Sequence, residues 1–148
     1  MTDTADATRE RARHHEMLAG DRTSEWLGIE VQEVSDGHAV ITMTLRPEML
    51  NGFGIAHGGM IFSLADTAFA MACNPARSSP DTVTVASGAD IDFLGQGVAG
   101  SLLTAVAERR QQAGRSGIYD VRVHQRRTDG STEVIAEFRG RSRTVRRP

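Results

Sequence analysis

Asp66 stands in the middle of the most apolar stretch of the chain, among Met60, Ile61, Phe62, Leu64, Ala65, Ala68, Phe69, Ala70 and Met71. Carboxylates are seldom placed in such surroundings without a partner or a purpose. Hydrogen bonds from a neighbouring loop would make it a structural group. Held in an apolar cleft, it would instead be a stronger base or nucleophile than in bulk water. His57-Gly58-Gly59 begins the same stretch. At a helix start, free backbone N–H groups and the positive end of the dipole can polarise a carbonyl oxygen or hold an oxyanion. The two glycines also suit a tight entry turn, and they let a ligand approach the backbone. His57 has the chemistry of a general base, although a histidine in such a turn more often fixes the loop by hydrogen bonding. Asn51 can orient a water or a carbonyl, yet Asn followed by Gly is also an ordinary turn. A carboxylate and an oxyanion-binding helix start are together the equipment for attack on an activated carbonyl.

Spacing constrains how they can cooperate. Eight residues separate Gly58 from Asp66, about 12 Å along one helix axis, so both cannot touch one carbonyl carbon within a single chain. If both act on one substrate, the site lies between two subunits, and a two-fold homodimer carries two such sites.

The elements that must position these groups follow from hydropathy. Gly58 to Cys73 reads as a buried helix; at about 24 Å it falls short of the ~20 apolar residues a bilayer core requires, so no membrane span is expected. Residues 5–20 read as an amphipathic helix stopped at Gly20, within an N-terminal helical segment 1–25 that precedes a single domain, 26–148. Trp26 to Val34 and Ala39 to Leu45 are β-rich runs joined through Ser35, Asp36 and Gly37, a hairpin signal. Val83 to Phe93, Ser101 to Arg109, Ile118 to Gln125 and Glu133 to Thr144 add four more strands, and Tyr119, Val121 and Val123 alternate with Asp120, Arg122 and His124. The order predicts an α+β domain whose antiparallel sheet wraps the apolar helix. A sheet on one side leaves that helix partly open, which favours pairing with a second chain.

Composition narrows the function further. The chain has 148 residues, a formal net charge of −2 and 39% hydrophobic residues, enough for one core. Its charge is split: residues 1–99 carry 14 acids against 6 arginines, and residues 100–148 carry 5 acids against 11 arginines. With no run of five like charges and a pI near 6.2, the molecule lacks the basic field of a nucleic-acid binder. Cys73 is the lone cysteine, which excludes a disulfide framework and a cysteine-built zinc site and reads as core packing. No spacing of His, Cys, Asp and Glu suggests a metal. The polar start Met1 to Arg13 shows no secretory pattern, so a cytoplasmic location is expected.

Asn51-Gly52-Phe53-Gly54-Ile55-Ala56-His57-Gly58-Gly59, followed by Phe62-Ser63-Leu64-Ala65-Asp66-Thr67-Ala68-Phe69-Ala70, closely resembles the signature of the hotdog-fold acyl-CoA thioesterases, most nearly those of phenylacetate degradation. The likeness continues through Ala86 to Leu94, Gly117 to Asp120 and Phe138 to Ser142 and covers about Trp26 to Arg143. The resemblance implies a long helix wrapped by an antiparallel sheet, homodimers paired into homotetramers, and hydrolysis of phenylacetyl-CoA, hydroxyphenylacetyl-CoA or related thioesters without a cofactor. It gives Asp66 the role of attacking the thioester or activating water, and Gly58 that of donating its N–H to the carbonyl oxygen. Asn51 and His57 would organise water and loop. Gly59, Gly88, Gly114, Arg115 and Ser116 would line the substrate and the CoA chain. The cationic third offers Arg115, Arg139, Arg141 and Arg143 to the CoA phosphates. Two other readings remain at this point: a hydratase or dehydratase of acyl thioesters using His57 for proton transfer, and a non-catalytic acyl-CoA-binding module.

Overall fold

The computed structural model describes residues 15–75 and 79–148. In chain order these form α1 (Arg22–Leu27), β1 (Glu30–Ser35), β2 (His38–Thr44), α2 (Gly58–Cys73), β3 (Thr82–Phe93), β4 (Leu102–Ala113), β5 (Ser116–Arg126) and β6 (Thr132–Arg146). The strands make one sheet in the order β1-β2-β4-β5-β6-β3, antiparallel at every pairing. Helix α2 packs against all six strands. This is the wrapped-helix α+β arrangement of the hotdog fold.

The period of two in the strands decides which side chains meet the helix. Leu103, Ala105 and Ala107 of β4 and Tyr119, Val121 and Val123 of β5 point inward and are buried. From α2 they receive Ile61, Leu64, Ala65, Ala68, Phe69, Met71 and Ala72. Gly140 on β6 permits the closest approach, since a Cβ there would lie 2.8 Å from three carbons of the Phe69 ring. Phe69 therefore sits directly on the strand backbone, with ring centroids 5.3 Å from Tyr119 and 5.8 Å from Phe138. Full burial of one such ring contributes about 1.5–3 kcal/mol.

Helix and edge strand are fastened at both ends. Asn74, which ends α2, donates from Nδ2 to the Thr84 carbonyl at 2.8 Å and accepts the Thr84 N–H on Oδ1 at 2.9 Å. At the other end the Phe93 ring lies against Gly58. β3 consequently runs antiparallel to α2, with Asp66 midway between the two fastenings.

The first turn of structure differs from the sequence pattern. Most of the expected helix over residues 5–20 lies outside the described residues; of the remainder, Glu16–Leu18 is a single 3₁₀ turn rather than α-helix. Trp26 and Leu27, read as the start of a strand, belong to α1. Its N-cap Asp21 accepts the Ser24 N–H at 3.0 Å, and Gly28 closes it in the left-handed conformation at φ +69°. Capping at both ends outweighs the β preference of the tryptophan. The expected boundary between residues 25 and 26 falls inside this helix. Among the described residues no helix is long and apolar enough to cross a membrane.

Candidate active site

Asn51 builds the loop that leads into α2. Its Oδ1 accepts the N–H groups of Phe53 (2.9 Å) and Ile55 (3.4 Å), while its own N–H donates to the Ile55 carbonyl at 2.8 Å. The loop is anchored where Ala56 donates to the Gly97 carbonyl and His57 to the Met49 carbonyl, both at 2.9 Å. His57 then caps the helix: its Nδ1 accepts the Gly59 N–H at 3.1 Å, and its carbonyl accepts from Met60 (2.9 Å) and Ile61 (3.4 Å). Of the four N–H groups that a helix start leaves without intrahelical partners, three are thereby occupied. Among the described residues the fourth, that of Gly58, has no acceptor. No acidic side chain stands in the first turn and no basic one in the last, so nothing on the helix offsets its dipole.

Asp66 occupies the one face of α2 that the sheet does not cover. Gly59, Ser63, Asp66, Thr67 and Ala70 form a strip of small and polar residues that are exposed or half-buried. The hydroxyls of Ser63 and Thr67 donate back into the helix, to the carbonyls of Gly59 (2.8 Å) and Ser63 (2.7 Å), leaving Asp66 the free polar group of the strip. No hydrogen bond or ion pair reaches its carboxylate among the described residues, and burial raises its pKa above the ordinary 3.8. A carboxylate shielded from water and unpaired is suited to take a proton or attack a carbon at neutral pH.

The remaining predicted residues cluster elsewhere. Gly114-Arg115-Ser116 forms the tip of the β4–β5 hairpin, where the Arg115 carbonyl accepts the Thr144 N–H at 2.8 Å. In register, Ser116 lies beside Arg143, which lies beside Val85, so the tip stands at the Thr84 end of β3. Phe93, beside Gly58, is eight strand residues away, about 26 Å. Within one chain the structure therefore separates Gly58 from Arg115. Gly88 lies between, beneath the Arg141 guanidinium, whose Nη2 would stand 2.9 Å from a Cβ at that position.

The four arginines expected at phosphates are not equivalent. Arg139 makes a two-point contact with Asp120 (2.6 and 2.9 Å), and Arg141 reaches Asp90 at 2.7 Å. Arg115 and Arg143 have no acidic partner among the described residues; Arg143 approaches only the Ser116 hydroxyl, at 3.5 Å. Cys73 packs at the end of α2, and burial pushes its thiol up to about 11, in keeping with a packing role. A cavity of about 510 Å³ lies between residues 98–101 and the ends of β4 and β5, lined in part by Val98, Leu102, Arg126 and Arg127. It contains no residue of α2 and no carboxylate. Among the described residues no group of His, Cys, Asp and Glu is arranged to hold a metal ion.

Residues 53–131, more than half the chain, match the model of the thioesterase superfamily. The chain is 43% identical over 131 residues, 88% of each protein, to the acyl-coenzyme A thioesterase PaaI of Escherichia coli. It belongs to the thioesterase superfamily. The solved structure of E. coli PaaI, from the phenylacetic acid degradation operon, superposes on it with a TM-score of 0.79 at 39% identity, over 96% of both chains. A structure of the phenylacetic acid degradation protein PaaI from Thermus thermophilus gives 0.70 at 32% identity, over 85% of this chain and 98% of that one. The span that matches the thioesterase model runs from the Asn51-built loop through α2 to the β5–β6 turn. It therefore contains the free N–H of Gly58, Asp66, Gly88 and the 114–116 tip. One residue beside this candidate site escaped the sequence pattern. Phe93 ends a strand and reads as one more alternating apolar position, and only the packing shows its ring against Gly58.

Proposed function

We propose that the protein is an acyl-CoA thioesterase in which Asp66 attacks the thioester carbon or activates water, while the Gly58 N–H holds the carbonyl oxygen. The observation that carries this reading is the pair of groups left unspent on one helix. Gly58 presents the one unsatisfied donor at a positive helix end, and Asp66 presents an unpaired, partly desolvated carboxylate. The N–H stabilises charge on oxygen as the tetrahedral centre forms, and the carboxylate supplies the nucleophile or removes the proton from it. Collapse of that centre expels the CoA thiolate, leaving the free acid where water attacked, or an Asp66 anhydride that water then hydrolyses to the free acid and the restored carboxylate where Asp66 attacked.

The two groups are too far apart to serve one carbonyl within a chain, so the reading requires a homodimer. β3 is a twelve-residue edge strand with exposed Val85 and Phe93, and a two-fold pairing of two such edges is antiparallel. Such pairing exchanges the ends. Centred between Phe93 and the middle of β3, the pairing would bring Gly58 of the partner subunit beside Asp66, with Arg115 and Arg143 beyond it. Thioester and nucleotide of one CoA could then engage a single composite site, with Arg115 and Arg143 as the cations left for phosphate. Association of two dimers into a homotetramer and a cytoplasmic location complete the reading. Similarity to PaaI favours phenylacetyl-CoA and its hydroxylated relatives as substrates.

The test is release of free CoA from a panel of acyl-CoAs by the wild type and by Asp66→Ala. Turnover confined to the wild type supports the reading, and equal turnover by both overturns it. Single-turnover hydrolysis in ¹⁸O-labelled water separates the two roles of Asp66, because only a covalent anhydride leaves label in its carboxylate.

A further inference from the structure

The cavity between residues 98–101 and the ends of β4 and β5 lies apart from the Asp66 site, yet a fully buried polar side chain is committed to its frame. Gln125 is wholly buried. Its Nε2 donates to the Gln96 carbonyl at 2.9 Å and to Glu133 Oε2 at 3.0 Å, and its Oε1 accepts the Val98 N–H at 3.1 Å. One amide thus ties the segment that enters the cavity wall to the start of β6. The wall itself is closed where Ser101 donates to the Val98 carbonyl at 3.0 Å and Gly100 to the Leu45 carbonyl at 2.8 Å. These bonds set the walls before anything binds, so a ligand meets little ordering cost. The volume, about 510 Å³, falls within the roughly 300–1,000 Å³ of small-molecule sites.

The lining combines exposed apolar side chains, Val98 and Leu102, with the guanidinium of Arg126. Arg126 lies directly opposite Leu102 on β4 and Thr132 on β6, and among the described residues no acidic side chain pairs with it. Arg127 differs, since its Nε donates to Glu133 at 3.1 Å. The cavity therefore offers apolar surface beside one uncommitted positive charge. A single guanidinium matches the planar fork of a carboxylate at two points, whereas a phosphate carries more charge than one arginine balances. From this arrangement we infer that the cavity is a binding site for amphipathic monocarboxylates of the medium-chain fatty acid class, with the carboxylate on Arg126 and the chain along Val98 and Leu102. The inference does not depend on the thioesterase reading, because no residue of α2 lines the cavity.

The experiment titrates decanoate into the ¹⁵N-labelled full chain and follows the backbone amide resonances. Saturable shifts are expected at residues 98–102 and 126–128, with an affinity about 3–10-fold above that for octanoate. Arg126→Gln should weaken decanoate binding by about 10-fold or more, and decanol, which keeps the chain and lacks the charge, should bind the wild type more weakly by a similar factor. Leu102→Ser keeps the charge, removes apolar wall, and should cost about 3–10-fold. Three results overturn the inference: no saturable shift, shifts confined to the surroundings of Asp66, or equal affinity in the wild type and Arg126→Gln. No thioester is present in the titration, so each of them leaves the thioesterase reading intact.

Discussion

At its C-terminal end α2 closes on Asn74, whose amide satisfies both backbone groups of Thr84. At its N-terminal end the cap supplied by His57 satisfies every first-turn donor except that of Gly58. The same helix thus has one end finished for stability and one end left open. Helix ends are ordinarily completed by side chains or water, and the single donor withheld from this otherwise capped start is the one the proposed mechanism gives to a ligand's oxygen. Asp66, midway, shares the open character, since it is the one polar group of its strip with nothing to bind.

The largest expected effect comes from the middle of the helix. Asp66→Asn should lower kcat by about 10²–10⁴-fold, the range for a lost general base. The folded-state pKa of Asp66 lies above 3.8, so its stabilising contribution is full below that value and is lost as pH rises through the raised one. At pH 7 the ionised group therefore destabilises the fold, and the Asn variant should melt at a higher temperature than the wild type. In the wild type, kcat/KM should climb with pH through the same raised value, and the Asn variant should show no such limb.

Gly58→Pro breaks the open end selectively. Proline is accepted at the first position of a helix, and the extended backbone of His57 (φ −63°, ψ 130°) suits the residue before it. The fold should survive, with Phe93 giving way by a few tenths of an ångström, while kcat falls about 10²–10³-fold for want of the oxyanion donor. Mixing this variant with Asp66→Asn tests the composite site. Random exchange of subunits gives heterodimers with one intact and one doubly damaged site, so activity should recover to about a quarter of wild type. No recovery would place both groups in a one-chain site and contradict the helix geometry.

Breaking the finished end should act in the opposite sense. Asn74→Ala leaves both backbone groups of Thr84 unpaired and should cost about 1–3 kcal/mol in denaturant unfolding, with a smaller change in kcat than either variant above. The smallest effect belongs to His38, on the face of β2 opposite that of the buried Ala39, whose Nδ1 lies 2.7 Å from Glu108 and Nε2 3.1 Å from Glu33. Burial lowers its pKa, but the two carboxylates outweigh burial and raise it above 6.5. The clamp is thus fully present below that value and is lost as pH rises through the raised one. His38→Gln should flatten the fall in melting temperature between pH 6 and 8, an effect of about 0.2–1 kcal/mol at a partly exposed site.

The limits of α2 were legible because an apolar run met a capping histidine at one end and Asn-Pro at the other. The strands from β2 onward were legible through their alternation, with ends displaced by a few residues. α1 was not, since its evidence lies in Asp21 and Gly28 rather than in the residues between them. The fate of the arginines was also hidden. Asp120 faces Arg139, and Arg122 faces Glu137, only because the bulge at Val123/His124 sets the register of β5 on β6. The special status of Gly58 could be suspected from His-Gly-Gly, but that it alone keeps a free donor depends on where the His57 ring and carbonyl point.

The absence of any acid from the first turn of α2 has an evolutionary cost. A carboxylate there would stabilise the helix by about 0.3–1 kcal/mol, and a search for thermostable variants would favour one. The same charge would repel the oxyanion that the proposed mechanism places at this end. Selection for a hardier protein and selection for a faster one should therefore pull residues 59 and 60 in opposite directions.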